Sequence, residues 1–328
     1  MAARVSRTGR APLVKTRRER SEKPPAMYRF LPAPVLGFLL LSSITISTLL
    51  YGIPMFVLAV VKFAIPHDGW RHWWTQRLVF TAETWIHLNN LMISVALPTR
   101  FEFHGLDDPR LRRDGRYLVA SNHQTWADVL VLQRILIGHV PFLRFFIKQE
   151  LIWLPVLGMT WWALDMPFMK RYSPAKLEKH PELRGKDLET TRRACERFRR
   201  GPISIMNFIE GTRFSPEKRD KHGSPHQYLL KPKAGGIAAA LDAFSGDLDT
   251  LVDVTIVYSK PGADFWDFLT GKVELVYAEV TVEVIPQDLR CGSYADDEVY
   301  RERVQAWVRE LWERKDARIG SLWNEGMA

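Results

Sequence analysis

Cysteine is scarce: the 328 residues include two, Cys195 and Cys291, far apart and without a CxxC pair. That excludes a disulfide framework and a cysteine zinc site, and it points to a reducing compartment with both cysteines as packing residues. No G-x-S-x-G elbow occurs and Ser121 lacks flanking glycines, which argues against a serine-type lipid hydrolase. There is no HExxH and no second histidine pair, so a metal hydrolase lacks its ligands. Neither a metal nor a cofactor is expected. No internal repeat is found, and low complexity is confined to the start of the chain.

Charge is also missing where it would be most informative. From Phe30 to Val61 there is no charged residue, and about 20 apolar residues suffice to cross a bilayer core. Residues 30–66 are therefore expected to form a membrane-embedded helical segment. Gly37, Gly52, Pro54 and the Ser42-Ser43 pair interrupt the run, so a re-entrant pair broken near Leu50 to Pro54 competes with a single span, and the re-entrant form is favoured. The formal net charge is +9. Residues 1–29 hold nine Lys or Arg against Glu19 and Glu22, so most of the basicity sits in a tail poor in apolar residues, read as disordered. Placed just before the apolar run, the tail suits an anionic membrane better than nucleic acid, and it predicts a cytoplasmic N-terminus.

Residues 67–99 interleave Trp70, Trp73, Trp74 and Trp85 with Arg71, His72, Arg77 and His87. An interfacial helix at headgroup level and a core-packed amphipathic helix both fit this pattern. Beyond it, residues 100–328 alternate. Strands are predicted at Arg100–His104, Arg116–Ser121, near Arg144–Lys148, at Ile203–Ile209 and Thr250–Tyr258, with two more within Val273–Ile285. Helices are predicted over Thr125 to Leu136, Lys186 to Arg199, Gly235–Phe244, and Asp296 to about Trp312. Such alternation means an α/β domain. In the last helix Val304, Trp307, Val308, Leu311 and Trp312 make one apolar face, read as core.

Two constellations carry chemistry. Asn122-His123-Gln124-Thr125-Trp126-Ala127-Asp128 follows the apolar strand Tyr117 to Ala120. On a regular helix His123 and Asp128 would stand about 140° apart and could not meet. They can meet if His123 lies in the strand-to-helix turn and Asp128 inside the helix, with Thr125 as N-cap and Asp128 completing a capping box. A second strand, Ile203 to Ile209, delivers Glu210-Gly211-Thr212-Arg213 to its carboxyl end, where open α/β sheets usually place ligands. Gly211 permits close backbone approach, Thr212 offers a hydroxyl, Arg213 presents a forked donor suited to phosphate, and Glu210 could hold that guanidinium or a substrate hydroxyl. A third, weaker piece is Lys170-Arg171, with Lys148 ahead of it.

In this order and spacing the pieces resemble the glycerolipid acyltransferase superfamily that includes the lysophosphatidate acyltransferases, with its Asn-His-x4-Asp, Arg-terminated and Phe-x-Glu-Gly-Thr-Arg motifs. The first matches at Asn122, His123 and Asp128; the second at Lys148, Pro155, Gly158, Phe168 and Arg171; the third at Phe208 and Glu210 to Arg213. Trp162 to Tyr172 and Arg184 to Asp187 resemble a bacterial inner-membrane branch more closely. Two positions depart from the bacterial pattern: Leu164-Asp165 replaces a glycine, and Asp253 replaces a proline before the strand Val254-Thr255-Ile256.

The resemblance implies an α/β domain with a mixed sheet flanked by helices and an N-terminal helical membrane segment. It also implies acyl transfer from acyl-CoA or acyl carrier protein to a lysophospholipid hydroxyl, most simply that of 1-acylglycerol-3-phosphate, on the cytoplasmic face of a bacterial inner membrane. His123 and Asp128 would be the base dyad. Arg171, Glu210, Gly211, Thr212 and Arg213 would hold the acceptor phosphate, with Asn122, Lys148 and Lys170 in support. The alternative is a catalytically silent, membrane-anchored protein that binds lipid or nucleic acid.

Overall fold

The computed structural model describes residues 31–154, 156–169, 192 and 201–325. The basic tail, Pro155, Lys170, Arg171, Cys195 and all of the helix expected over Lys186 to Arg199 except Arg192 lie outside the described residues. Among the described residues there are eight strands: β1 (Arg100–His104), β2 (Arg116–Ser121), β3 (Leu143–Phe145), β4 (Ile147–Lys148), β5 (Phe168–Met169), β6 (Ile203–Phe208), β7 (Thr250–Tyr258) and β8 (Leu275–Val284). The α-helices are α1 (Ala33–Ala64), α2 (Asp68–Ala96), α3 (Ala127–Leu136), α4 (Leu157–Ala163), α5 (Pro216–Lys221), α6 (Gly235–Phe244), α7 (Phe265–Leu269) and α8 (Glu298–Asn324).

Six strands form one mixed sheet in the order β1-β8-β7-β2-β6-β3, in which β7 and β8 pair antiparallel and every other pair is parallel. Its side chains alternate between two cores, as a pleated strand requires. On one face Leu118, Ala120, Ile203 and Ile205 pack against Ile237, Leu241 and Phe244 of α6 and Val304, Val308, Leu311 and Trp312 of α8. On the other, Tyr117, Val119 and Met206 pack against Val131, Leu132 and Ile135 of α3. The result is a three-layer α/β/α domain. The central strands β7, β2 and β6 run parallel and side by side, so their carboxyl ends meet at one edge.

Several expected boundaries are corrected. The stretch 273–285 is one ten-residue strand rather than two, because it lies along the full length of β7. The strand near Arg144–Lys148 is split: β3 joins the main sheet while β4 pairs with β5. The last helix runs on to Asn324, since Ile319 and Leu322 continue its buried face. Cys291 is exposed and is not a packing residue.

The apolar segment is also corrected. It is one continuous helix of 32 residues, with Pro54 and Gly52 inside it, and no break forms near Leu50. Small residues there serve contact instead: a Cβ on Gly52 would collide with the Val156 side chain. α1 and α2 form an antiparallel hairpin, in which Ser47 Oγ donates to Asn89 Oδ1 (2.9 Å) and Trp70 Nε1 to the Val61 carbonyl (2.9 Å). α1 then touches the α/β domain near both of its ends. Gly37 lies against Thr270 and Trp266, and buried Lys62 donates to the Ala163 carbonyl and Asp165 (both 2.8 Å). The departure at Asp165 thus has a use: the residue takes a backbone φ of 59°, and its carboxylate receives that lysine.

Candidate active site

Strand geometry builds the site. Where β2 ends, Asn122 extends its pairing with β7 through the side chain: Oδ1 accepts the Ile256 N–H (2.9 Å) and Nδ2 donates to the Ile256 carbonyl (2.8 Å). Gln124 Nε2 donates to that same carbonyl (2.9 Å). Asn122 is fully buried, and the chain turns directly after it.

His123 occupies that turn and Asp128 the first turn of α3, as the spacing required. His123 Nδ1 lies 2.8 Å from Asp128 Oδ2, and the imidazole stacks on Phe208 of β6, with centroids 3.9 Å apart and planes at 15°. The same Oδ2 accepts the Gln124 N–H (2.6 Å) and Thr125 N–H (3.0 Å), and Oδ1 accepts the Tyr258 hydroxyl (2.5 Å). An acceptor surrounded by four donors fixes the histidine tautomer: Nδ1 carries the proton and Nε2 keeps its lone pair. The capping box is half formed. Asp128 reaches back to the Thr125 N–H, but the N-cap of α3 is Trp126 and no side chain caps the helix. Asp128 Oδ2 is instead shared between the histidine and the two backbone N–H groups.

The sequence reading places Tyr258 at the end of a strand and gives it no role at the site. It sits four residues past Val254, the partner of Ser121, where β7 outruns β2. Burial, reinforced by the Asp128 charge, pushes its hydroxyl well above the ordinary range, so it remains a donor. Only its position at the end of a nine-residue strand hinted at this.

Glu210 is placed differently from expectation. It is buried, and its two oxygens accept the His123 N–H (2.9 Å) and the Leu230 N–H (3.0 Å). It therefore joins the histidine turn to the 230 segment and does not hold Arg213; the Arg213 guanidinium lies over the exposed Trp126 ring at 5.1 Å. Burial is the main cause of a Glu210 pKa raised to about 8, opposed by the two backbone donors and assisted by Asp128. The folded chain then retains a proton that an unfolded carboxyl releases near 4.5. Stability from this group is full below that value and is lost as the pH rises through about 8, with a slope of at most about 1.4 kcal/mol per pH unit. Urea midpoints measured between pH 5 and 8 are expected to fall for the native chain and to fall less for Glu210→Gln; parallel curves would remove the assignment.

Gly211 takes φ 70°, a left-handed conformation that suits glycine, and turns the chain so that Thr212 and Arg213 follow at the edge. Lys218 of α5 donates to Thr212 Oγ1 (3.2 Å) and to the Arg213 carbonyl (2.9 Å). With an ammonium on its oxygen, the Thr212 hydroxyl is left to donate its own proton. The Phe214 N–H donates to the His123 carbonyl (2.7 Å), tying the 210–213 turn to the histidine turn. Lys148 is exposed on β4, beside β5. The second departure, Asp253, pairs with buried Lys315 of α8 at 2.8 Å, and the same ammonium reaches the Val254 carbonyl (2.8 Å) and Thr255 Oγ1 (3.0 Å).

The structure therefore defines an α/β domain bearing a His–Asp dyad, its aspartate buried, and a basic turn at one sheet edge. Residues 100–259, which hold both, match the protein-family model described as Acyltransferase. The chain is 26% identical over 257 residues to an uncharacterized acyltransferase of Saccharomyces cerevisiae, covering 66% of this chain and 61% of that protein. It is 25% identical over 182 residues to the 1-acyl-sn-glycerol-3-phosphate acyltransferase gamma of Mus musculus, covering 52% and 43%. The chain thus spans less than two thirds of these relatives' lengths. A solved structure, the 1-acyl-sn-glycerophosphate acyltransferase of Thermotoga maritima, aligns over 82% of this chain and 97% of its own at 19% identity and a TM-score of 0.38.

Proposed function

We propose that this protein is a membrane-bound acyltransferase that moves a fatty acyl group from a thioester, acyl-CoA or acyl carrier protein, to the free hydroxyl of a lysophospholipid of the 1-acylglycerol-3-phosphate type. The observation that carries the reading is the His123–Asp128 pair at 2.8 Å, inside the segment that matches acyltransferases. His123 Nε2 takes the proton of the acceptor hydroxyl as its oxygen attacks the thioester carbonyl. The tetrahedral intermediate collapses by breaking the C–S bond, and the imidazolium returns the proton to the departing thiolate. Asp128 steadies the imidazolium, as its counterpart does in hydrolase triads. Substrate oxygen takes the place of a serine, and no covalent enzyme intermediate is needed.

Arg213 and Thr212 hold the acceptor phosphate, with Lys148, Lys170 and Arg171 completing the grip. Glu210 acts through the histidine turn. Purified protein assayed with labelled acyl-CoA over a panel of lysophospholipids is expected to favour phosphate-bearing acceptors. Arg213→Ala is expected to raise the acceptor KM about tenfold or more, the scale of one charge-assisted contact, with the donor KM nearly unchanged. Absence of product with every acceptor, and with acyl carrier protein as donor, would restore the silent-binder reading.

The membrane half of the proposal rests on α1. Its exposed side, including Phe38, Leu49, Leu50, Ile53, Val57 and Val60, carries no charge. Its contacts with the α/β domain at Gly37 and Lys62 stand about 38 Å apart along the axis, more than the roughly 30 Å of a hydrocarbon core. A crossing helix would need the domain on both sides of the bilayer. α1 therefore lies along one leaflet with its exposed side in the lipid, which keeps the whole α/β domain on one face, here taken as the cytoplasmic face of a bacterial inner membrane.

A further inference from the structure

Among the described residues outside the site, the most exposed large apolar side chain is Trp153, at 86% relative exposure. It ends the 3-10 helix Gln149–Trp153, which leads into α4. Leu154, Met159 and Trp162 of the same stretch are also exposed. Residues 151–163 contain no charged side chain. A water-facing loop of this composition is costly, because large apolar and indole surfaces stay hydrated.

The stretch is seated on α1. Val156 packs onto Gly52, whose helical neighbours Leu49, Ile53 and Phe56 are exposed, and Trp162 stacks on Phe63 with ring centroids 4.0 Å apart. Its apolar surface thus continues the uncharged exposed side of α1. Trp162 flanks the carboxyl end of that helix and Trp266 its amino end, beside Gly37. Indoles bracketing an apolar surface suit a membrane interface.

We infer that residues 151–154 and 156–163 form a second bilayer-contacting element, inserted beside α1 into the same leaflet with Trp153 as its leading side chain. The inference rests on the membrane half of the proposed function and not on acyl transfer. It also gives the acceptor a route. The element begins just after Lys148 of β4 and returns to the domain at β5, so a lysophospholipid leaving the leaflet there meets a cation of the proposed phosphate grip at once.

The test uses the full chain with Cys195→Ser and Cys291→Ser, carrying one cysteine labelled with an environment-sensitive nitrobenzoxadiazole dye. The labelled positions are Trp153→Cys, Ile53→Cys on α1, and Thr281→Cys on the exposed side of β8 as a water-facing reference. On phosphatidylcholine–phosphatidylglycerol vesicles, the dyes at 153 and 53 are expected to shift to the blue and be quenched by doxyl lipids, while that at 281 does neither. A response at 53 without one at 153 overturns the inference and leaves the α1 reading intact; no response at either overturns both. In the unlabelled chain, Trp153→Glu is expected to lower vesicle partitioning roughly ten- to a hundredfold. Turnover of a short-chain, water-soluble acceptor by that variant is expected to be retained. Unchanged partitioning would count against the inference, whereas loss of soluble turnover in the native chain would count against acyl transfer alone.

Discussion

His123→Ala is expected to lower acyl-transfer turnover by about a hundred- to ten-thousandfold, the range of a positioned general base, without unfolding the chain. The turn that carries the imidazole is held by its backbone. The His123 N–H donates to Glu210 and its carbonyl accepts from Phe214, and neither bond involves the imidazole. What alanine removes is a ring stacked on Phe208 and its bond to Asp128. Thermal unfolding should therefore change little, and the space left against Phe208 should admit free imidazole, which is expected to restore part of the turnover. Steady-state kinetics at saturating substrates measure the loss. A variant that keeps its rate within a few-fold would exclude His123 as the base.

Much of the sheet could be read from the sequence because its strands are apolar runs bounded by turn residues. β1, β2 and β7, together with α6, fall on the expected residues. What failed was long-range. The stretch 273–285 has turn-forming residues at neither centre nor register, and its pairing with the whole of β7 decides that it is one strand. α1 looked broken because Gly52 and Pro54 weaken an isolated helix. Packing reverses that reading: Gly52 is needed so that Val156 can approach, and the helix stays continuous against α2 and α4.

At the site, the local part was legible and the tertiary part was not. The five-residue spacing of His123 and Asp128 demanded a turn and a helix, and both formed. Glu210 was assigned by its neighbour Arg213, yet its carboxylate points inward, because the backbone N–H groups of His123 and Leu230 need acceptors in a buried place. No sequence pattern announces such orphan donors. Tyr258 was missed for a related reason: it stands 130 residues from Asp128, and only the register of β7 against β2 brings them together. The two departures at Asp165 and Asp253 likewise acquire meaning through buried lysines far away in the chain, Lys62 and Lys315.

Asp128→Asn separates the charge of this carboxylate from its shape. The side-chain oxygen of asparagine, placed at the Oδ2 position, can still accept from His123 Nδ1, the Gln124 N–H and the Thr125 N–H. Its NH2, at the Oδ1 position, meets the Tyr258 hydroxyl, which changes from donor to acceptor by turning its proton away. All four contacts survive, so stability is expected to change by no more than about 1–2 kcal/mol, the scale of altered hydrogen bonds. The imidazolium formed during catalysis loses its counter-charge inside a buried site, where such a pair is worth far more than in water. Turnover is therefore expected to fall by about a hundred- to ten-thousandfold, as in hydrolase triads, with acceptor KM little changed. Only a few-fold loss of turnover would mean that Asp128 serves the α3 turn and not the base.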